Sequence, residues 1–79
     1  MAEPNYPGNS SLPPEIQQRV AGTFRQSLDL AAKGSLREAQ LGCDFVLGLD
    51  PEFHLARKLA DLLALADGPV DVSELAAEL

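Results

Sequence analysis

Two side chains in this sequence carry intrinsic reactivity, and each stands alone: the chain has one cysteine, Cys43, and one histidine, His54. A nucleophilic cysteine needs a thiolate, held by a base or a positive field. Cys43 is followed by Asp44, whose charge would raise the thiol pKa, and it falls at an apolar position of a helical pattern. It reads as a buried structural residue. A lone cysteine also excludes an internal disulfide and a Cys-rich zinc site. His54 has no second histidine or cysteine with which to hold a metal, and it reads as an exposed or capping residue. Asp67, Asp71 and Glu74 gather near Gly68, but the alternating acids, central glycine and terminal glutamate of a calcium loop are missing. Arg57-Lys58 is the one paired basic spot, and it reads as a solvated face rather than an anion groove. With no nucleophile–base pair and no ligand cluster, neither enzymatic activity nor a metal, cofactor or small-molecule substrate is expected.

The elements that must position these residues are helices. Pro13 and Pro14 suit a helix start, where a missing N–H is harmless. Ile16, Val20, Phe24 and Leu28 recur at steps of four, widened by Leu30 and Ala31, which predicts an amphipathic helix from Pro14 to Lys33. Gly34 suits the left-handed residue that ends it. Ser35-Leu36-Arg37-Glu38 has the form of a capping box and opens a second helix, with Leu36, Ala39, Cys43, Val46 and Leu47 as its apolar face. Gly42 lies beside Ala39 and Cys43, where close approach of another helix would explain it. Asp50-Pro51 is expected to start a third helix, as N-cap and first residue, running to about Ala66 before Asp67-Gly68-Pro69 stops it. Its apolar residues, Phe53, Leu55, Ala56, Leu59, Ala60, Leu62, Leu63, Leu65 and Ala66, are too many for one face. Val70 to Leu79 is a short fourth helix or a linker, with a second capping box at Asp71-Val72-Ser73-Glu74. Ahead of all this, Met1 to Leu12 is rich in Pro, Gly, Asn and Ser and is expected to be a disordered, dispensable tail. The domain division is therefore a tail at 1–12, a helical body at 13–67 and an acidic C-terminal segment at 68–79.

Composition narrows the class of function. Seventy-nine residues make one small domain, and a chain of this length buries only about 60% of its unfolded surface. Six Lys and Arg against twelve Asp and Glu leave a net charge of −6. That argues against nucleic acid, which is held through excess basic residues, and against an anionic membrane surface. No apolar run approaches the length of a membrane span. Met-Ala-Glu-Pro lacks the basic and apolar regions of a secretory signal, so a cytoplasmic protein is expected.

The spacing of the first two helices has a further meaning. Gly34 closes the first helix, Ala39 follows five residues later, then come Cys43 and Val46, and Asp50-Pro51 ends the unit. Val20 to Leu49 with Pro51 resembles one tetratricopeptide repeat, a helix–turn–helix of about 34 residues. Gly34, Ala39, Asp50 and Pro51 match the family's turn glycine, second-helix alanine and closing pair. Leu30, Cys43 and Val46 stand where the family has a tyrosine, an aromatic residue and an alanine. Thr23, with Phe24 beside it, stands near the usual tryptophan, and Gln26-Ser27 replaces the usual Leu-Gly. The resemblance covers about half of the chain. Phe24, Leu28 and Arg25 stand where carboxylate-clamping members carry lysine and asparagine, so that activity is not carried over.

The expected architecture is thus all-α: a tetratricopeptide-like antiparallel hairpin, a third helix and a possible short fourth. The expected function is a non-catalytic protein–protein interaction module for docking, scaffolding or self-association, acting through helix-in-groove packing with an acidic rim that selects a basic partner. The contact residues expected from sequence are Phe53, Leu55, Leu59, Leu62 and Leu65, with Asp67, Asp71 and Glu74 selecting charge. A homodimer through Leu55, Leu59 and Leu62 is the expected self-association. The alternative is a small chaperone or regulatory subunit that holds a partner's helix, as tetratricopeptide-like secretion chaperones do.

Overall fold

The computed structural model describes residues 6–78. Among them the chain forms four helices and no strand: α1 (Pro14–Lys33), α2 (Leu36–Leu49), α3 (His54–Leu65) and α4 (Ser73–Ala77). The fold class is all-α, as the sequence predicts. No helix among the described residues is long and apolar enough to cross a membrane.

The first helix has the predicted limits. Pro14 occupies its first turn, and the N–H groups of Ile16 and Gln17 both reach the Pro13 carbonyl. At the other end Gly34 adopts φ 88°; its N–H donates to Ala31 and that of Ser35 to Leu30. This pair of bonds is a Schellman motif, which returns two orphan carbonyls to partners and needs a residue with positive φ. The Ala31 carbonyl also accepts the N–H of Val70 at 2.9 Å. The chain leaving α3 is therefore tied to the end of α1, with Pro69 lying against Gly34.

The two-residue connection turns α2 back along α1. Val20, Phe24, Ser27, Leu28 and Ala31 on α1 and Ala39, Cys43 and Val46 on α2 are buried. Gly42 explains how closely the two can pack: a Cβ there would overlap the Ser27 hydroxyl. Ser27 itself is satisfied within its own helix, donating to the Thr23 carbonyl at 3.2 Å. Close approach at Gly42 was legible in the sequence; the capping box at Ser35 is not formed. Ser35 makes no side-chain cap bond, and α2 starts from the tight turn that the Schellman motif imposes.

Ala39 is fully buried at the hairpin contact. Ala39→Leu is expected to lower stability by about 1–3 kcal/mol, because the added methylenes have no room without shifting α1. Urea denaturation followed by helical circular dichroism checks it; an unchanged midpoint would mean that position 39 tolerates bulk.

The third helix starts later than expected. Asp50 ends α2, its N–H bonded to the Val46 carbonyl at 2.8 Å. Its Oδ1 accepts the N–H of Glu52 at 3.0 Å, and its carbonyl accepts that of Phe53 at 3.0 Å. These bonds hold residues 51–53 as a turn, so Asp50 is not an N-cap, Pro51 is not a first helical residue, and α3 begins at His54. Leu55, Ala56, Leu59 and Leu63 form its buried face. Ala66 is extended and ends the helix, close to the expected limit.

The fourth helix is short and lies against α1. Leu75 is its buried residue, and Val72 and Ala76 face Arg25, Leu28, Asp29 and Ala32 across a shallow cleft. The second predicted capping box is not formed either: Val72 is the N-cap of α4, with no side-chain cap bond, and Asp71 Oδ1 instead accepts the N–H and the hydroxyl of Ser73, at 3.1 and 2.7 Å. Leu79 and residues 1–5 lie outside the described residues.

The segment from Tyr6 to Leu12 corrects the expectation of a disordered tail, as far as residues 6–12 are concerned. It is a strap across the α2–α3 turn. The Tyr6 hydroxyl donates to Asp50 Oδ2 at 2.7 Å and the Asn9 N–H to the same oxygen at 2.9 Å. Gly8 lies so close to the Asp50 carboxylate that a Cβ would overlap it. The Tyr6 ring stands 5.7 Å from that of Phe53, which stands 5.1 Å edge-on from Phe24. Beyond Asn9 a turn closes with Leu12 N–H on the Asn9 carbonyl, and Gln17 Nε2 donates back to the Ser10 and Leu12 carbonyls. Composition alone argues for a tail; what outweighs it is a carboxylate more than forty residues away.

Candidate functional site

The residues singled out by sequence divide cleanly by burial. Phe53, Leu55 and Leu59 have no exposed surface. Phe53 is the centre of the aromatic cluster, and Leu55 and Leu59 belong to the same core. They hold the chain together and offer nothing to a partner, which corrects their assignment as contact residues and removes the homodimer through Leu55, Leu59 and Leu62. The physical reason is the overly wide apolar surface of α3: two stripes satisfy the helical period, and periodicity does not say which one faces in. Leu62 and Leu65 lie on the outer flank, 42% and 90% exposed. Leu75 of the C-terminal segment packs among core residues, while these two leucines stay open to solvent. Asp67, Asp71 and Glu74 are exposed.

Sequence reasoning missed two large side chains, Leu41 and Phe45, which are 63% and 48% exposed on α2. Four residues apart, they share the face opposite Ala39, Cys43 and Val46. That spacing is the signal which could have found them. It was hidden by the stronger inward stripe on the same helix.

The reactive side chains are accounted for by structure. Cys43 is fully buried, and burial, with a smaller contribution from the Asp44 charge, pushes its thiol up to about 11. A thiol with that pKa is protonated at neutral pH and a poor nucleophile. Because the folded value is raised, the linked stability is present below the unfolded pKa of about 8.5 and is lost as pH rises towards 11. Alkylation of Cys43 at pH 8 is expected to run on the order of 100-fold slower in the folded protein than in urea, limited by opening of the α1–α2 contact. Mass spectrometry of the modified fraction over time checks this; equal rates would place the thiol at the surface. His54 is exposed at the first residue of α3. Among the described residues no three His, Cys, Asp or Glu side chains are grouped to hold a metal ion.

The most polar cluster inside the molecule is the Asp50 latch. Asp50 is fully buried, and its two oxygens accept from Tyr6, Asn9 and Glu52. Burial, then the hydrogen bond to Asp50, then the Asp50 charge raise the Tyr6 phenol well above its ordinary range. The folded state thus favours the protonated phenol; its contribution is full below about pH 10 and fades above it. All three donors are consumed in holding the strap and the turn. The cluster ties the strap to the α2–α3 turn.

No family model, no curated protein and no solved structure matches this chain. The surface and the packing therefore carry the functional argument.

Proposed function

We propose that this chain is a non-catalytic protein–protein interaction module, built on a tetratricopeptide-like hairpin. The observation that carries the reading is the exposure of Leu62 and Leu65 on one flank of α3, after the core has taken Leu55, Ala56, Leu59 and Leu63. Contiguous apolar side chains left in water on a small monomer mark contact surfaces. Asp61 and Asp67 bracket the two leucines along the chain, and Asp71 and Glu74 extend the acidic run. With a net charge of −6, such a surface favours an amphipathic helix whose apolar stripe is flanked by Lys or Arg.

The test uses two labelled helical peptides with the same leucine stripe, one flanked by lysines and one by glutamates. Fluorescence anisotropy should show the lysine-flanked peptide binding at least about tenfold tighter, a difference of about 1.4 kcal/mol. Leu65→Glu should weaken it with little change in thermal stability, since Leu65 is 90% exposed. Equal binding of both peptides, or binding indifferent to Leu65→Glu, removes α3 from the function.

A further inference from the structure

We propose that residues 6–9 form an exchangeable arm: two copies of this chain associate by swapping it, so that Tyr6 and Asn9 of each copy complete the Asp50 latch of the other. The proposal uses the strap and the α2–α3 corner alone. Neither Leu62 nor Leu65 takes part, so it stands or falls apart from the reading of the α3 flank.

The bonds of the strap fall into two sets. The arm is held by the corner: the Tyr6 hydroxyl and the Asn9 N–H donate to Asp50 Oδ2 at 2.7 and 2.9 Å, and the Tyr6 ring stands 5.7 Å from that of Phe53. These partners belong to the corner and not to α1, the helix to which the arm is joined. The second set closes the hinge that turns the arm back. Leu12 N–H donates to the Asn9 carbonyl at 3.2 Å, Ser11 N–H to Asn9 Oδ1 at 3.0 Å, and Gln17 Nε2 to the Ser10 carbonyl at 3.1 Å. Ser10 and Ser11, at the centre of this turn, are exposed. Opening it hands those groups to water at little net cost. Beyond the turn the chain is already straight: Pro13 has φ −56° and ψ 147°, and a proline biases the residue before it towards extended backbone.

The latch behaves differently. Asp50 is fully buried, and a buried carboxylate stripped of its donors is strongly unfavourable. An arm that lifts therefore leaves a corner that must be refilled. The corner is also selective, because a Cβ at position 8 would overlap the Asp50 carboxylate. The arm of a second copy brings the tyrosine, the glycine and the free N–H in the order the corner already accepts. Residues 6–12 carry no charged side chain, so the arm itself adds nothing to the repulsion between two acidic chains. Exchange about a twofold axis makes the latch twice and gives up only the hinge bonds, which is how a swapped element becomes a low-cost route to a dimer.

Sedimentation equilibrium of the full chain tests this, in about 0.5 M salt to screen the net charge of −6. A monomer–dimer equilibrium is expected by millimolar concentration. Deleting Ser10 and Ser11 removes the turn but keeps arm and corner. It should tighten the dimer at least about 100-fold, because the arm can no longer compete from within its own chain. In this shortened chain Gly8→Ala spoils the arm and Asp50→Ala the corner. Each should abolish the dimer, and mixing the two should restore a heterodimer in which one sound arm meets one sound corner, seen by native mass spectrometry. Where Asp50→Ala lowers the helical circular dichroism signal, Asp50→Asn takes its place, since an amide has one accepting oxygen where the latch needs two. A full chain that stays monomeric at millimolar concentration overturns the proposal, whatever the shortened chain does. So does a dimer that survives Gly8→Ala, which must use another face, and so does a mixture of two folded, spoiled chains that yields no heterodimer.

Discussion

Phe53→Ala is expected to remove about 3–5 kcal/mol of stability, the usual range for emptying a buried aromatic site. A chain of this length has a total of about 4–12 kcal/mol to lose, so the loss is a large share of it and the melting temperature should fall by more than about 10 °C. The argument rests on place rather than type. Phe53 has no exposed surface and links two elements distant in sequence, with Phe24 of α1 on one side and Tyr6 of the strap on the other. Alanine would leave a cavity that the surrounding rings cannot close, because Phe24 is held in the α1 face and Tyr6 by its bond to Asp50. Urea denaturation followed at 222 nm measures the loss. Phe53→Leu should retain most of the stability, since it keeps much of the volume. A change in Phe53→Ala below about 0.5 kcal/mol is the signature of a surface position, and would return Phe53 to the role of a contact residue.

Asp50→Ala is expected to cost about 2–4 kcal/mol. A hydrogen bond to a charged group is worth about 1.5–3 kcal/mol, and three donors converge here. The sum is smaller than three such bonds, because the strap can lift and let Tyr6 and Asn9 reach water. Glu52 lies in the turn and should lose its bond outright, so the start of α3 should fray. Tyr6→Phe tests the same joint more gently: it keeps the ring against Phe53 and deletes one donor, for about 1 kcal/mol. Deleting residues 1–11 removes both strap donors and the Tyr6 ring, and should cost more than Tyr6→Phe. Equal stability of the truncated and full chains would mean that the strap adds nothing and Asp50 acts through the turn alone. Combining Asp50→Ala with the truncation should give less than the sum of the two, as groups that share one network are not additive.

Much of the fold was legible because its signals are local. Pro14 and Gly34 bound α1 through backbone chemistry that needs no tertiary partner. The two-residue link forces α2 to run back along α1, and Gly42 beside Ala39 announces a close contact. What was illegible depends on distant partners. Nothing within residues 6–12 reveals that Asp50 awaits them, so composition alone gave a tail. The same carboxylate looks like an N-cap from its own neighbourhood, yet it closes a turn and holds the strap, and α3 begins three residues after the expected Pro51. On α3 the period admits two inward stripes. The one carrying Leu55, Ala56, Leu59 and Leu63 is buried, and Leu62 and Leu65 stay outside. Of the five apolar residues expected to meet a partner, Phe53, Leu55 and Leu59 are buried, and Leu62 and Leu65 are exposed. Leu41 and Phe45 could have been found by asking which large apolar side chains fall on the wrong face of α2.

The strap also bears on the time order of folding. Its bonds join residues 44 and 41 positions apart, whereas the hairpin is closed by neighbours in sequence. Closing a long loop costs chain entropy that is recovered only when the loop's end docks. The α1–α2 hairpin should therefore form in the rate-limiting step, and Tyr6 should reach Asp50 after it. Interactions made after the barrier change the rate of leaving the native state and not the rate of reaching it. Tyr6→Phe should then raise the unfolding limb of a stopped-flow chevron and leave the refolding limb in place, while Ala39→Leu slows refolding. On this account the residues that resemble a tail act as a kinetic clasp: they set how long a folded molecule stays folded.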